Sequence, residues 1–102
     1  MGARREGRAR VTRVEMVNIG AQNYVVAGRV VAVLGSGTAP IRRVIRDGKE
    51  RGLLLDVSQH RELRSLIVLD DGHMVASFLP PAQVIRRLAE PADSLEELDA
   101  DE

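Results

Sequence analysis

The 102-residue chain has 15 basic and 15 acidic side chains, but its charges are unevenly distributed. Residues 1–13 carry five arginines and one acid, whereas residues 90–102 carry seven acids and no base. The 76 residues between them carry a net charge of +3. We expect a disordered basic arm at 1–13, one folded domain at 14–89 and a disordered acidic tail at 90–102.

The composition excludes several classes of protein. The chain has no cysteine, so it has no disulfide, no thiol nucleophile and no zinc-thiolate site. Its only aromatic residues are Tyr24 and Phe78, too few for a platform that stacks single-stranded nucleic acid. No apolar stretch approaches the ~20 residues that cross a membrane. We therefore expect a cytoplasmic protein without a membrane partner.

The pattern of apolar residues predicts eight elements in the order β-β-β-α-β-β-β-α. Strands are predicted at residues 14–19, 24–27, 29–34, 53–57, 64–69 and 73–79. The first helix follows the third strand; Thr38 caps it, Pro40 lies in its first turn and Gly52 ends it. A second short helix begins at Pro80-Pro81.

The strands at 30–34, 53–55 and 66–69 are apolar on both faces, although only two short helices are available to cover them. A sheet with two apolar faces must curl on itself or bury one face against another subunit. We therefore predict an α+β fold with a small, strongly bent sheet or half-barrel of about six strands and two short helices. We expect this unit to assemble into a closed homo-oligomer.

No residue pattern typical of an enzyme is present. His60 and His73 fall in different predicted turns without the spacing of metal ligands. The Asp-Asp-Gly sequence at 70–72 is typical of a tight hairpin turn. The Gly-Ser-Gly sequence at 35–37 joins a strand to a helix, but it lacks the other residues of dinucleotide and P-loop motifs. We predict no catalytic residues, no metal and no cofactor.

Arginine supplies fourteen of the fifteen basic side chains, and its planar guanidinium suits phosphate recognition. Six arginines lie on the predicted first helix or beside predicted strands: Arg29, Arg42, Arg43, Arg46, Arg61 and Arg64. The alternative is a solvated face on which the arginines pair with Asp47, Glu50 and Glu62. Composition alone slightly favours this solvated face.

A set of residues with characteristic spacing runs through the folded part of the chain. It begins with Asn-Ile-Gly at 18–20, Arg29 before an apolar strand, and Ser-x-x-Ala-Pro-Ile-Arg-Arg at 36–43. It continues with Gly52, Asp56, Arg61, Arg64, Asp70, His73, Ser77, Pro81 and Arg87. Over roughly residues 16–88, this set resembles the RemA family of small bacterial regulators.

The resemblance implies a DNA-binding transcriptional regulator, associated in some bacteria with extracellular-matrix and biofilm genes. It also implies a ring-shaped homo-oligomer that presents arginines to duplex DNA. By resemblance, Arg29, Arg61 and Arg64 contact DNA, and Pro40 has a structural role at the start of the first helix. The residue pattern gives structural roles to Gly20, which breaks the first strand, and to Gly52, which ends the helix. Because the chain lacks aromatic residues and an obvious recognition helix, we expect it to contact phosphates rather than read base edges.

The turn at 60–62 departs from the family pattern. Relatives commonly have Gly-Arg-Arg where this chain has His60, Arg61 and Glu62. Each subunit thereby loses a positive charge and gains a negative one, which should weaken the attraction of phosphates. The alternative function is therefore a non-enzymatic, oligomeric protein-interaction module with weak or no DNA binding.

Overall fold

The computed structural model describes residues 14–90, which form six strands and two α-helices. The strands are β1 (Met16–Asn18), β2 (Tyr24–Val26), β3 (Val30–Gly35), β4 (Leu54–Asp56), β5 (Ser65–Leu69) and β6 (Met74–Ser77). The helices are α1 (Ala39–Arg51) and α2 (Pro81–Ala89). The predicted α+β class and element order are confirmed, whereas the predicted basic arm and residues 91–102 of the predicted tail lie outside the described residues.

The six strands form two sheets, which corrects the prediction of a single bent sheet or half-barrel. β1 and β2 form an antiparallel hairpin, and the other strands form a sheet in the order β3-β5-β6-β4. In this sheet only β4 and β6 are parallel to each other. A 3₁₀ turn at Ala27–Arg29 interrupts the chain between β2 and β3, so the hairpin packs on a face of the larger sheet.

Both faces of the four-stranded sheet are covered within one chain. Because strand side chains alternate between faces, neighbouring residues of β5 enter different cores. Ile67 packs against the hairpin and α2, and Leu66 packs against the face that α1 covers. The buried residues of the first core are Val17, Ile19, Val25, Ile67, Val75, Leu79 and Val84. The two cores therefore bury apolar residues on both faces of the sheet, whereas Val31 of β3 and Leu55 of β4 stay exposed.

The ends of α1 follow from their local sequence. The Thr38 hydroxyl accepts a hydrogen bond from the amide of Ile41, and Pro40 lies in the first turn, where a missing amide hydrogen weakens nothing. Gly52 ends the helix with φ +74°, a left-handed conformation that glycine adopts without strain. Gly48 is the one buried residue of the helix, and its lack of a side chain leaves room for Met74.

The hairpin is attached to the larger sheet beside β6. The Ser77 hydroxyl donates to the carbonyl oxygen of Ile19 at 2.6 Å, and the Asn18 side chain accepts from the amide of Gly20 at 2.7 Å. Gly20 has φ +112°, and a Cβ atom there would lie 3.0 Å from the ring of Phe78. Only glycine therefore satisfies both the backbone conformation and the close packing of Phe78 at this position.

Candidate nucleic-acid interface

Two of the six candidate arginines, Arg29 and Arg64, lie at opposite ends of the four-stranded sheet. Arg29 precedes β3 and Arg64 precedes β5, and these two strands run antiparallel with Gly35 opposite Ser65. The six residues of β3 separate the two ends by about 17 Å at the usual rise of a strand. Arg29 and Arg64 therefore lie apart on the domain and do not form one cluster.

Arg29 is paired with an acid. Its Nε atom donates to Oδ1 of Asp70 at 2.7 Å, and both side chains are about half exposed. This hydrogen bond and the charge of Asp70 raise the pKa of the Arg29 guanidinium. Asp70 lies in the β5–β6 turn, where Asp71 also accepts hydrogen bonds from the amide and Nδ1 of His73 at 2.9 Å. Those two bonds lower the pKa of the Asp71 carboxyl.

Three arginines in the first half of α1 have no acidic partner among the described residues. Arg42, Arg43 and Arg46 are exposed in the first two turns of the helix, whose first turn has no acidic residue. Within residues 14–90, no carboxylate forms an ion pair with any of the three. Cations near a helix N-terminus oppose the helix dipole, so this arrangement weakens the helix and concentrates positive potential there.

Arg61 is held at both its backbone and its side chain. Its amide donates to the carbonyl oxygen of Ser58 at 3.1 Å across a turn in which Gln59 and His60 both have positive φ, as in a type I′ turn. Its guanidinium carbon lies 4.3 Å from the centre of the Phe78 ring, within cation–π distance. The turn thus presents an arginine whose orientation is restricted.

Asp56 fixes the start of the same turn. Its Oδ1 atom accepts hydrogen bonds from the hydroxyl of Ser58 at 2.6 Å and from the amide of Ser58 at 2.9 Å. These two bonds, with smaller contributions from the charges of Lys49 and His60, lower the pKa of the Asp56 carboxyl. The Asp-x-Ser pattern at 56–58 is a known signature of such side-chain-closed turns, so the sequence carried this signal.

Ser36 joins the β4–β5 loop to the start of α1. Its amide donates to the carbonyl oxygen of Arg64 at 3.1 Å, and its hydroxyl donates to that of Leu63 at 2.6 Å. Arg42 Nη2 in turn donates to the carbonyl oxygen of Gly37 at 3.4 Å. These bonds hold the β4–β5 loop beside the start of α1 at one end of the sheet. We call the arginines of this loop and of the first two turns of α1 the arginine end: Arg42, Arg43, Arg46, Arg61 and Arg64. The amide and the hydroxyl of Ser36, in the Gly-Ser-Gly loop, are thus already used in hydrogen bonds within the domain.

Glu62, which stands where the family pattern has an arginine, lies within the arginine end. Glu62 approaches Arg64 with 3.8 Å between Oε1 and Nη2, and both side chains are largely exposed. An exposed pair at this distance contributes little to stability. Its effect is electrostatic, because it partly cancels the charge of one arginine in the loop.

The part of the chain that the structure describes has neither a candidate metal site nor a membrane-spanning helix. Among residues 14–90, no group of three or more potential metal-binding side chains lies together, and His60 and His73 belong to different loops. No helix in this range is long and apolar enough to cross a membrane.

Comparison with known proteins places this domain among regulatory proteins. The family model described as RemA-like, extracellular matrix regulatory protein A-like, matches residues 16–88. The chain therefore belongs to the RemA-like family. The match covers nearly all of the domain that the structure describes.

Three relatives illustrate the similarity, each with the name "Putative regulatory protein". One from Caldicellulosiruptor saccharolyticus is 37% identical over 84 residues, covering 82% of this chain and 83% of the relative. One from Synechococcus is 42% identical over 82 residues, covering 80% of this chain and 92% of the relative. One from Clostridium botulinum is 35% identical over 86 residues, covering 84% and 97%.

Proposed function

We propose that this protein is a DNA-binding transcriptional regulator that contacts duplex phosphates through the arginine end, with Arg29 as a weaker contact. The family description as a regulatory protein supports a regulatory role, and its reference to extracellular matrix suggests matrix or biofilm genes as targets. The observation that carries DNA binding is the absence of an acidic partner, within residues 14–90, for four arginines: Arg42, Arg43, Arg46 and Arg61. Unpaired guanidinium groups are the side chains best suited to bind phosphate with two hydrogen bonds.

The pairing of the nearby acids argues against a self-neutralised surface. Asp47 pairs with Arg51 one turn further along α1, at 3.2 Å, rather than with Arg43 or Arg46. Glu50 forms no ion pair among the described residues. The solvated face of arginine–acid pairs that the composition slightly favours is therefore absent from the first half of α1. A phosphate would supply the negative charge that this half of the helix lacks.

We further propose that DNA binding uses a homo-oligomer. β3 and β4 are the two edge strands of the larger sheet, and each carries an apolar side chain that its own chain leaves uncovered. Val31, at a bulge in β3, is 63% exposed, and Leu55 of β4 is 58% exposed. A closed ring of copies would cover such edges and repeat the arginine end around the assembly.

The proposal is tested by the salt dependence of binding to a short fluorescent duplex. Affinity should fall linearly with salt on logarithmic axes, with a slope of about 0.9 for each phosphate contacted. Arg46→Ala should lower both the affinity and the slope. Arg86→Ala is the matched control: it removes the same charge from an exposed position of α2, on the opposite side of the sheet. Wild-type protein that shows no salt-dependent duplex binding would instead indicate a protein-interaction module.

A further inference from the structure

Arg61 differs from the other members of the arginine end in how its side chain is supported. Arg42, Arg43 and Arg46 project from an exposed helical face, whereas the guanidinium of Arg61 lies over the Phe78 ring at 4.3 Å. An arginine that is free to rotate loses side-chain entropy when it binds a phosphate. An arginine already held in place loses less, so its contact is stronger for the same chemistry.

The Phe78 ring is itself held in place. Gly20 packs against it so closely that a Cβ atom at Gly20 would approach Cζ to 3.0 Å and Cε2 to 3.1 Å. The backbone on either side is also held: the amide of Leu79 donates to the Ser77 hydroxyl at 3.0 Å, and the Ser65 hydroxyl donates to the carbonyl oxygen of Leu79. Arg61 therefore lies over a ring whose own position is restricted.

Stacking leaves the hydrogen-bonding groups of Arg61 available. The five N–H bonds of a guanidinium lie in its plane, whereas a ring below it interacts with the face of that plane. A phosphate can therefore bind at the edge of Arg61 while Phe78 remains beneath. Arg61 also has no acidic partner within residues 14–90 that would compete with the phosphate.

We propose that Phe78 is a positioning residue for DNA binding, which holds Arg61 ready for a duplex phosphate and has Gly20 as its support. The inference rests on the proposed function and adds a specific role for one of the two aromatic residues of the chain. Phe78 does not contact DNA in this account; it acts only through Arg61.

A double-mutant cycle tests this role on a short duplex at low salt. Phe78→Leu keeps an apolar side chain and removes the ring, and it should weaken binding about two- to tenfold, the range expected for the entropy of immobilising one long side chain. The same substitution should have no further effect in Arg61→Ala protein. In Arg46→Ala protein, which keeps the stack, it should again weaken binding about two- to tenfold.

The outcomes separate this inference from the proposed function. An equal loss in all three backgrounds means that Phe78 acts on the fold alone, and it overturns the inference. No loss from Phe78→Leu, where Arg61→Ala does weaken binding, also overturns it and leaves the proposed function intact. Wild-type protein that does not bind duplex DNA overturns both.

A measurement on the wild-type protein covers the case in which Phe78→Leu does not fold. Protons on the Arg61 side chain that lie over an aromatic ring resonate upfield of their usual NMR positions. We expect such shifts for Arg61 in the absence of DNA, and not for Arg46, which is the internal reference. Arg61 resonances at ordinary positions would show that the stack does not form in solution, and would overturn the inference without any substitution.

Discussion

The two ends of the four-stranded sheet both carry arginine, but the charges there are in different states. At one end, Arg29 donates to Asp70 at 2.7 Å, beside a second carboxylate at Asp71. At the other end, Arg42, Arg43, Arg46 and Arg61 have no acidic partner within residues 14–90. The difference shows that the availability of an arginine for phosphate depends on its neighbours in the fold, which a count of charges cannot show.

The largest expected effect comes from removing the helix arginines together. Combined replacement of Arg42, Arg43 and Arg46 by alanine should weaken duplex binding on the order of a hundredfold at low salt, because three charged contacts are lost. The same protein should unfold at a similar or slightly higher temperature, because only Arg42 lies in the first turn of α1, where an exposed cation opposes the helix dipole by about 0.3–1 kcal/mol. Fluorescence anisotropy and thermal melts measure the two effects. Lower affinity together with lower stability would indicate a structural role for these arginines.

Reversing the charge at position 62 should act in the opposite direction. Glu62→Arg removes the acid 3.8 Å from Arg64 and adds a cation to the arginine end. We expect duplex affinity to rise about tenfold at low salt, and the gain to shrink as salt is added. Glu90→Arg at the end of α2 makes the same change of charge on the opposite side of the sheet and is the control. An equal gain from both variants would mean that total charge, not the loop, determines binding.

A smaller effect is expected from releasing Arg29 from its partner Asp70. Asp70→Asn removes the negative charge but keeps an oxygen acceptor for Arg29, so Arg29 becomes more available to a phosphate. We expect affinity to rise about threefold, within the range of an exposed ion pair. In Arg29→Ala protein the substitution should have a smaller effect. A loss of affinity from Asp70→Asn would show that the Arg29–Asp70 pair is itself the element that DNA requires.

The turn that presents Arg61 is strained in a way that glycine would relieve. His60 has φ +68° in the second central position of the turn, where a side chain is unfavourable. His60→Gly should therefore stabilise the domain by about 1 kcal/mol in chemical denaturation. Ala82→Gly, at an exposed position of α2 with ordinary helical conformation, should instead destabilise it by a similar amount. Destabilisation by both variants would show that the backbone at His60 is not strained.

The smallest expected effect is a dependence of stability on pH, and it has the same origin at both ends of the sheet. Asp56 at the arginine end and Asp71 at the other end each accept hydrogen bonds from the residue two positions later, which lower the pKa of their carboxyl groups. A carboxyl whose pKa is lowered by folding stabilises the folded state above its unfolded pKa of about 3.9, and this stabilisation is lost as pH falls through the lower folded value. Thermal stability should therefore decrease in acid.

Asparagine at either position tests the origin of this decrease. Asp56→Asn retains an oxygen acceptor for Ser58 but cannot titrate, so its melting temperature should depend less on pH in this acid range. Asp71→Asn should show the same flattening for the His73 contact. Wild-type and variant curves that run parallel through the acid range would rule out both carboxylates as the source.

The order of elements was predictable because its signals are local. Thr38, Pro40 and Gly52 mark the ends of α1, and alternating apolar residues mark the strands. The separation into two sheets was not predictable, because it depends on contacts between distant residues. The Ser77–Ile19 hydrogen bond that attaches the hairpin joins residues 58 positions apart.

The sequence predicts which arginines are candidates for the site, but it does not predict which of them contact an acid or an aromatic ring. The sequence singled out the six arginines, but the contact that distinguishes Arg29 joins residues 41 positions apart. The support of Arg61 by Phe78 also joins separate elements, and no spacing in the sequence indicates it. The Asp56–Ser58 contact, by contrast, is local, and the Asp-x-Ser sequence at 56–58 indicates it, although a pattern of charges does not.

Hydrogen–deuterium exchange with and without a short duplex tests most directly whether DNA binds at the arginine end. Backbone amides in residues 36–46 and 58–64 should exchange more slowly in the complex at low salt, and this protection should disappear as salt is raised. Residues 69–73, beside the Arg29–Asp70 pair, should show much less protection. Protection confined to residues 69–73, or no change anywhere in residues 14–90, would contradict the account.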